Sequence, residues 1–145
     1  MRTFSRWLCI AIASIYPRLA PAAVHRGHMV VTGVAGELHQ IGGNLVADAM
    51  EASGWTVGFL GTNLPHSSIL ATVEEVSADV LCVSTTLVAN LPAVAELVRM
   101  VRDKLSGRVP RIVLGGAAYR IAAGFAGEMG ADVVRDLRGG IAMLC

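Results

Sequence analysis

From Met29 onward short apolar runs alternate with amphipathic segments, and this alternation constrains the fold more than any other feature of the chain. The runs are Met29 to Gly33, Trp55 to Leu60, Val80 to Val83, Arg111 to Leu114 and Asp132 to Val134. Between them apolar residues recur at helical spacing. Ile41, Leu45, Val46, Ala49 and Met50 define a first helix that Gly54 closes. Ile69, Leu70, Val73 and Val76 line a second, with Ser67 or Ser68 expected as its N-cap after a loop from Gly61 to Pro65. Val94, Leu97, Val98, Val101 and Leu105 line a third that opens near Pro92. Ile121, Phe125 and Met129 line a fourth, and residues 138–145 begin a fifth.

Strands that alternate with helices pair in parallel. The run Val80–Val83 is apolar throughout, as expected of a strand covered on both faces. The pattern predicts an α/β fold, a flavodoxin-like (Rossmann-like) five-stranded parallel sheet with helices on both faces. Right-handed crossovers bring all strand carboxyl ends to one edge. Glu37 to Gly43, Gly61 to Asn63, Ser84 to Thr86, and Gly115-Gly116 all fall there, which predicts one ligand site built from several loops.

A chain of 145 residues is one domain by length. Its 54% apolar and 16% charged content describes a compact globular chain. The net charge is +1 and the twelve basic residues are scattered, without the stripe that nucleic-acid binding requires. Arg99, Arg102 and Lys104 read as a solvated helix face. Cys9, Cys82 and Cys145 lack the spacing of a zinc site, and Cys82 reads as a small buried hydrophobe.

The first residues, Met1 to Arg6, are basic; Trp7 to Tyr16 is mostly apolar, and Ala20-Pro21-Ala22 is rich in small residues. That order mimics a leader. The apolar stretch of about ten residues is shorter than the ~20 that span a bilayer. Residues 1–26 are therefore expected to be a helical remnant ending near Pro17, with a leader as the alternative, and the protein is expected to be cytoplasmic.

Within the edge, His39 carries the most chemistry. It lies in Gly36-Glu37-Leu38-His39-Gln40-Ile41-Gly42-Gly43, between the first strand and the first helix. A neutral imidazole there can bind a metal, and Glu37 can fix its tautomer. A lone turn histidine is more often structural, so the reading depends on its neighbours. His66 is expected at a helix start as a surface or capping residue, His25 and His28 are given no role, and Trp55 and Phe59 are expected in the core or on a sheet face.

The segment Gly36 to Gly42 resembles the DxHxxG motif of vitamin B12 (cobalamin)-binding domains. Ser84-Thr85-Thr86-Leu87 is similar to the family's SxL segment after the third strand, and Gly115-Gly116 to its paired glycines after the fourth. Three ordered landmarks carry far more weight than an isolated motif. Glu37 stands where aspartate is commoner, and Thr86 stands where the leucine would be. The resemblance covers residues 27–137, and residues 27–145 are expected to form the cobalamin-binding domain.

The resemblance implies cobalamin bound base-off, with His39 as the lower cobalt ligand and Glu37 accepting its other N–H. The displaced nucleotide tail would pass Gly42, bond Ser84 and Thr86, and lie against Gly115 and Gly116, where glycine permits close approach. Residues 45–55 and 60–65 look most like the sensory and regulatory branch, including light-responsive transcriptional regulators, with adenosylcobalamin as cofactor. The alternative is the corrinoid carrier of a methyltransferase system, with methylcobalamin. Neither role requires independent catalysis. Expected partners are the corrinoid and a helical cap, a regulator or a methyltransferase subunit, with no direct nucleic-acid or membrane binding. A phosphoacceptor domain would need an acidic cluster at the edge, where Glu37 is the lone candidate.

Overall fold

The computed structural model describes residues 24–122 and 124–145. The helix or leader expected before them, and Cys9, lie outside the described residues. Strands β1 (His28–Val34), β2 (Thr56–Leu64), β3 (Val80–Ser84), β4 (Arg111–Gly115) and β5 (Asp132–Val134) form one parallel sheet in the order β2-β1-β3-β4-β5. The helices are α1 (Ile41–Ala52), α2 (His66–Glu75), α3 (Leu91–Lys104), α4 (Ala118–Ile121), α5 (Phe125–Glu128) and α6 (Leu137–Leu144). This is the flavodoxin-like order of doubly wound sheets, in which the strand order reverses between β1 and β3 and opens a crevice at their carboxyl ends.

The sheet separates two apolar layers. Val30, Val34, Leu81, Val83, Ile112 and Leu114 face Ile69 and Val73 of α2 and Leu97 and Val98 of α3. Met29, Val31, Val80, Cys82 and Val113 face the other way, against Ala47 and Met50 of α1 and Leu144 of α6. Alternate residues of one strand thus enter opposite layers, which is why Met29 to Val31, Val80 to Val83 and Ile112 to Leu114 are unbroken apolar runs. Each fully buried Val, Leu or Ile contributes about 1.5–3 kcal/mol. Cys82 belongs to this packing, and burial pushes its thiol up to about 12.

Three local expectations are corrected. Residues 61–64 continue β2 rather than forming a loop, through a register shift against Thr32 and Val34 of β1. An edge strand paired on one side accommodates such a bulge, and the left-handed Gly61 and Asn63 provide its turn. Helix α2 begins at His66 behind Pro65, with no side-chain cap from Ser67 or Ser68. The Pro65 carbonyl accepts from Ser68 and Ile69 instead. The fourth helix is broken into α4 and α5, leaving Ile121 79% exposed rather than in line with Phe125. Gly124, Gly127 and Gly130 sit in this stretch, and glycine lowers helix stability by about 1 kcal/mol each.

Candidate functional site

The site begins where β1 ends. Gly36, with φ +86, takes a left-handed turn that brings Glu37 back under the strand, and the Glu37 N–H donates to Val34 at 3.0 Å. Asn63 anchors this turn from the end of β2, accepting from the Gly36 N–H at 2.9 Å. The Glu37 side chain is consequently buried completely, beneath a His39 side chain that is 54% exposed.

Every partner of the Glu37 carboxylate is a donor. Oε1 accepts from the His39 backbone N–H at 3.0 Å and from the His39 ring Nδ1 at 2.6 Å. Oε2 accepts from the Thr86 N–H at 2.7 Å and from the Asn90 amide at 3.3 Å. Burial alone would raise the pKa, but these bonds, led by that from Thr86, outweigh it and hold the carboxyl below the usual glutamate range. An ionised carboxylate can only accept, so the proton of a neutral His39 ring is assigned to Nδ1. Nε2 then carries the free lone pair on the solvent side. One buried carboxylate therefore orients the ring, fixes its tautomer and joins the loops after β1 and β3.

Beside this pair an apolar cleft of about 410 Å³ runs into the edge of the sheet. Its wall contains Val31, Cys82, Val83 and Val113 from the strands, with α1 and α6 on its flanks. Gly42, Ser84, Gly115 and Gly116 also line it. Thr86 is outside the cleft lining, and its backbone supports Glu37.

The glycines have different reasons to be glycine. At Gly43 a Cβ would lie 2.9 Å from the Phe59 ring, and at Gly116 it would collide with the Thr85 carbonyl at φ +113. Both are required by the fold. At Gly42 the nearest neighbour of a Cβ would be Ser84 Oγ at 3.9 Å, an ordinary contact. Gly115 is similarly free, with Val134 O at 3.6 Å. These two keep the cleft open instead of satisfying internal packing.

Asn90 joins this cluster without having been disclosed by the sequence, because its bond to Glu37 spans 53 positions. Its place at the end of a 3-10 turn (Val88–Asn90) on the β3 side of the crevice is the signal, and topology is needed to read it. Arg120, Arg135 and Asp136 at the cleft were also missed. Phe59 and Trp55 pack partly buried in the second apolar layer. His66 opens α2, and His25 bonds Thr56 at 3.1 Å away from the site.

The sequence profile described as the B12 binding domain matches residues 27–139. A corrinoid protein of Desulfitobacterium hafniense (strain Y51) is 27% identical over 127 residues, covering 85% of this chain and 58% of that protein. Dimethylamine corrinoid protein 1 of Methanosarcina acetivorans is 26% identical over 105 residues, covering 72% of this chain and 48% of that protein. The chain thus spans about half the length of these curated relatives. Among solved structures, a cobalamin-binding protein from Desulfitobacterium hafniense DCB-2 superposes with a TM-score of 0.74 at 27% identity, covering 81% of this chain and 57% of that one.

Proposed function

Because this chain belongs to the B12 binding domain family, we propose that it holds cobalamin with His39 as the lower cobalt ligand and serves as the corrinoid carrier of a methyltransferase system. The observation that carries the reading is the buried Glu37 bound to His39 Nδ1 at 2.6 Å, which leaves Nε2 as the ligating nitrogen. Such a carboxylate partner raises imidazole basicity and steadies the ring.

The remaining residues suit the group. A corrinoid brings most of its cobalt's ligands with it, so the single imidazole of His39 is compatible with that group. The apolar cleft accepts a displaced tail, Ser84 offers it a hydroxyl, and the open faces of Gly42 and Gly115 admit a flat ring. When bound, the corrinoid supplies cobalt–carbon bond chemistry. The chain would supply the His39 imidazole, its fixed tautomer and an apolar cleft.

Carriage is favoured over sensing because the similar proteins described above include a dimethylamine corrinoid protein. Methylcobalamin is then the working form, and a methyltransferase subunit the partner. Residues 27–145 form the binding domain in this reading. No helix among the described residues is long and apolar enough to cross a membrane.

Titration with hydroxocobalamin, followed by desalting, tests the reading. Stoichiometric retention of colour is expected, and a colourless protein contradicts it. Adenosylcobalamin lost on illumination together with a change in oligomeric state would favour the regulatory role.

A further inference from the structure

Arginine pairing in this structure follows a pattern. Arg26 bonds the Ser53 and Cys145 carbonyls, and Arg102 bonds the Gly130 carbonyl. Arg99, Arg108 and Arg111 pair with Asp103, Asp79 and Asp132. Among the described residues the side chains of Arg120, Arg135 and Arg138 make no hydrogen bond or ion pair, and of these three Arg120 and Arg135 line the apolar cleft.

The fold brings them there from neighbouring strands. Gly115 of β4 stands in register with Val134 of β5, so Arg135 leaves the sheet beside Gly116 and Arg120 follows four residues later on α4. The carboxylate at this mouth, Asp136, is already occupied: it caps α6 by accepting from the Gly139 N–H at 2.7 Å. Two guanidinium groups therefore line an otherwise apolar cleft, and the Asp136 carboxylate beside them is turned to the α6 N-terminus instead of pairing with either. Arginine presents a donor fork suited to phosphate, and its bonds to an ionised acceptor are among the stronger hydrogen bonds.

We infer that Arg120 and Arg135 bind the phosphate group of the tail that enters the cleft and so select a complete corrinoid over one lacking its nucleotide. The inference rests on the corrinoid reading of the site. The arginines act on affinity and ligand choice, and His39 is left to ligate the metal.

The test is a spectral titration of wild type, Arg120→Gln, Arg135→Gln and the double variant with two probes: hydroxocobalamin, which carries the phosphodiester, and aquocobinamide, which lacks phosphate and base. Each substitution is expected to weaken cobalamin binding about tenfold, the scale of one charge-assisted hydrogen bond, and to leave cobinamide binding unchanged. The wild-type preference should shrink as salt is raised. Inorganic phosphate that weakens cobalamin binding in wild type but not in the double variant would support the same assignment. Equal losses for both probes, or no loss for either, overturn it while leaving the His39 site standing. Wild-type protein that binds neither probe overturns the site reading and the arginine assignment with it.

Discussion

The fully buried Glu37 carboxylate meets the half-exposed His39 ring at 2.6 Å, so a charge held inside the protein sets the chemistry of a nitrogen outside it. Removing charge, partner or space from this arrangement should have separable consequences.

Glu37→Gln keeps the shape but replaces one oxygen with a donor. Both carboxylate oxygens already face donors, from His39 on one side and from Thr86 and Asn90 on the other. The amide must set N–H against N–H in either orientation. We expect a loss of about 1–3 kcal/mol in stability, the cost of an unsatisfied buried group. Corrinoid affinity should fall about 10- to 100-fold, as when the partner of a metal-bound histidine is lost. Denaturant unfolding and spectral titration measure the two effects.

The same carboxyl predicts the response to acid. Its pKa is lowered in the folded protein relative to the ordinary value of 4.5, through bonds that outweigh burial. Its contribution to stability is therefore complete above about pH 4.5 and is lost as pH falls through the lower folded value. The melting-temperature gap between wild type and Glu37→Gln should be constant from pH 7 to 5 and close below that. A gap that persists at pH 3 would place the stabilisation elsewhere.

Gly42 and Gly43 should separate ligand space from fold space. Gly43→Ala drives a methyl against Phe59 at 2.9 Å, and overpacking of this kind costs about 1–3 kcal/mol. Gly42→Ala meets only Ser84, 3.9 Å from its Cβ, and should fold with wild-type stability, yet narrow the cleft and weaken cobalamin binding about tenfold. Thermal melts beside binding titrations distinguish the two variants.

Asn90→Ala removes one of four donors to Glu37 and leaves Thr86 and His39 in place. The bond is long, at 3.3 Å, so the expected cost is about 0.5–1.5 kcal/mol in stability, with a smaller loss of affinity than in Glu37→Gln. A binding loss equal to that of Glu37→Gln would make Asn90 a principal determinant of the ring's position.

These residues also mark what a sequence discloses. β1, β3 and β4 were legible because strands covered on both faces carry near-continuous apolar runs, here Met29 to Val31, Val80 to Val83 and Ile112 to Leu114. His39 and Glu37 were legible because they lie two positions apart on one turn. Asn90 was not, since its bond to Glu37 exists only because β3 lies beside β1. The broken helix at Ala122 was hidden by apolar spacing that suggested continuity, although Gly124 and Gly127 weaken the helix there. Arg120 and Arg135 stand apart in sequence and meet the same cleft only through the pairing of β4 with β5.

The central claim is that a His39 nitrogen ligates the cobalt, and paramagnetic resonance of protein loaded with cob(II)alamin reads that bond directly. Protein made with nitrogen-15 histidine should show cobalt lines split by nitrogen-15, and His39→Ala, which alters a 54% exposed side chain and should fold normally, should lose that splitting. Nitrogen-14 splitting from the cofactor's own base in the labelled wild type would contradict the account.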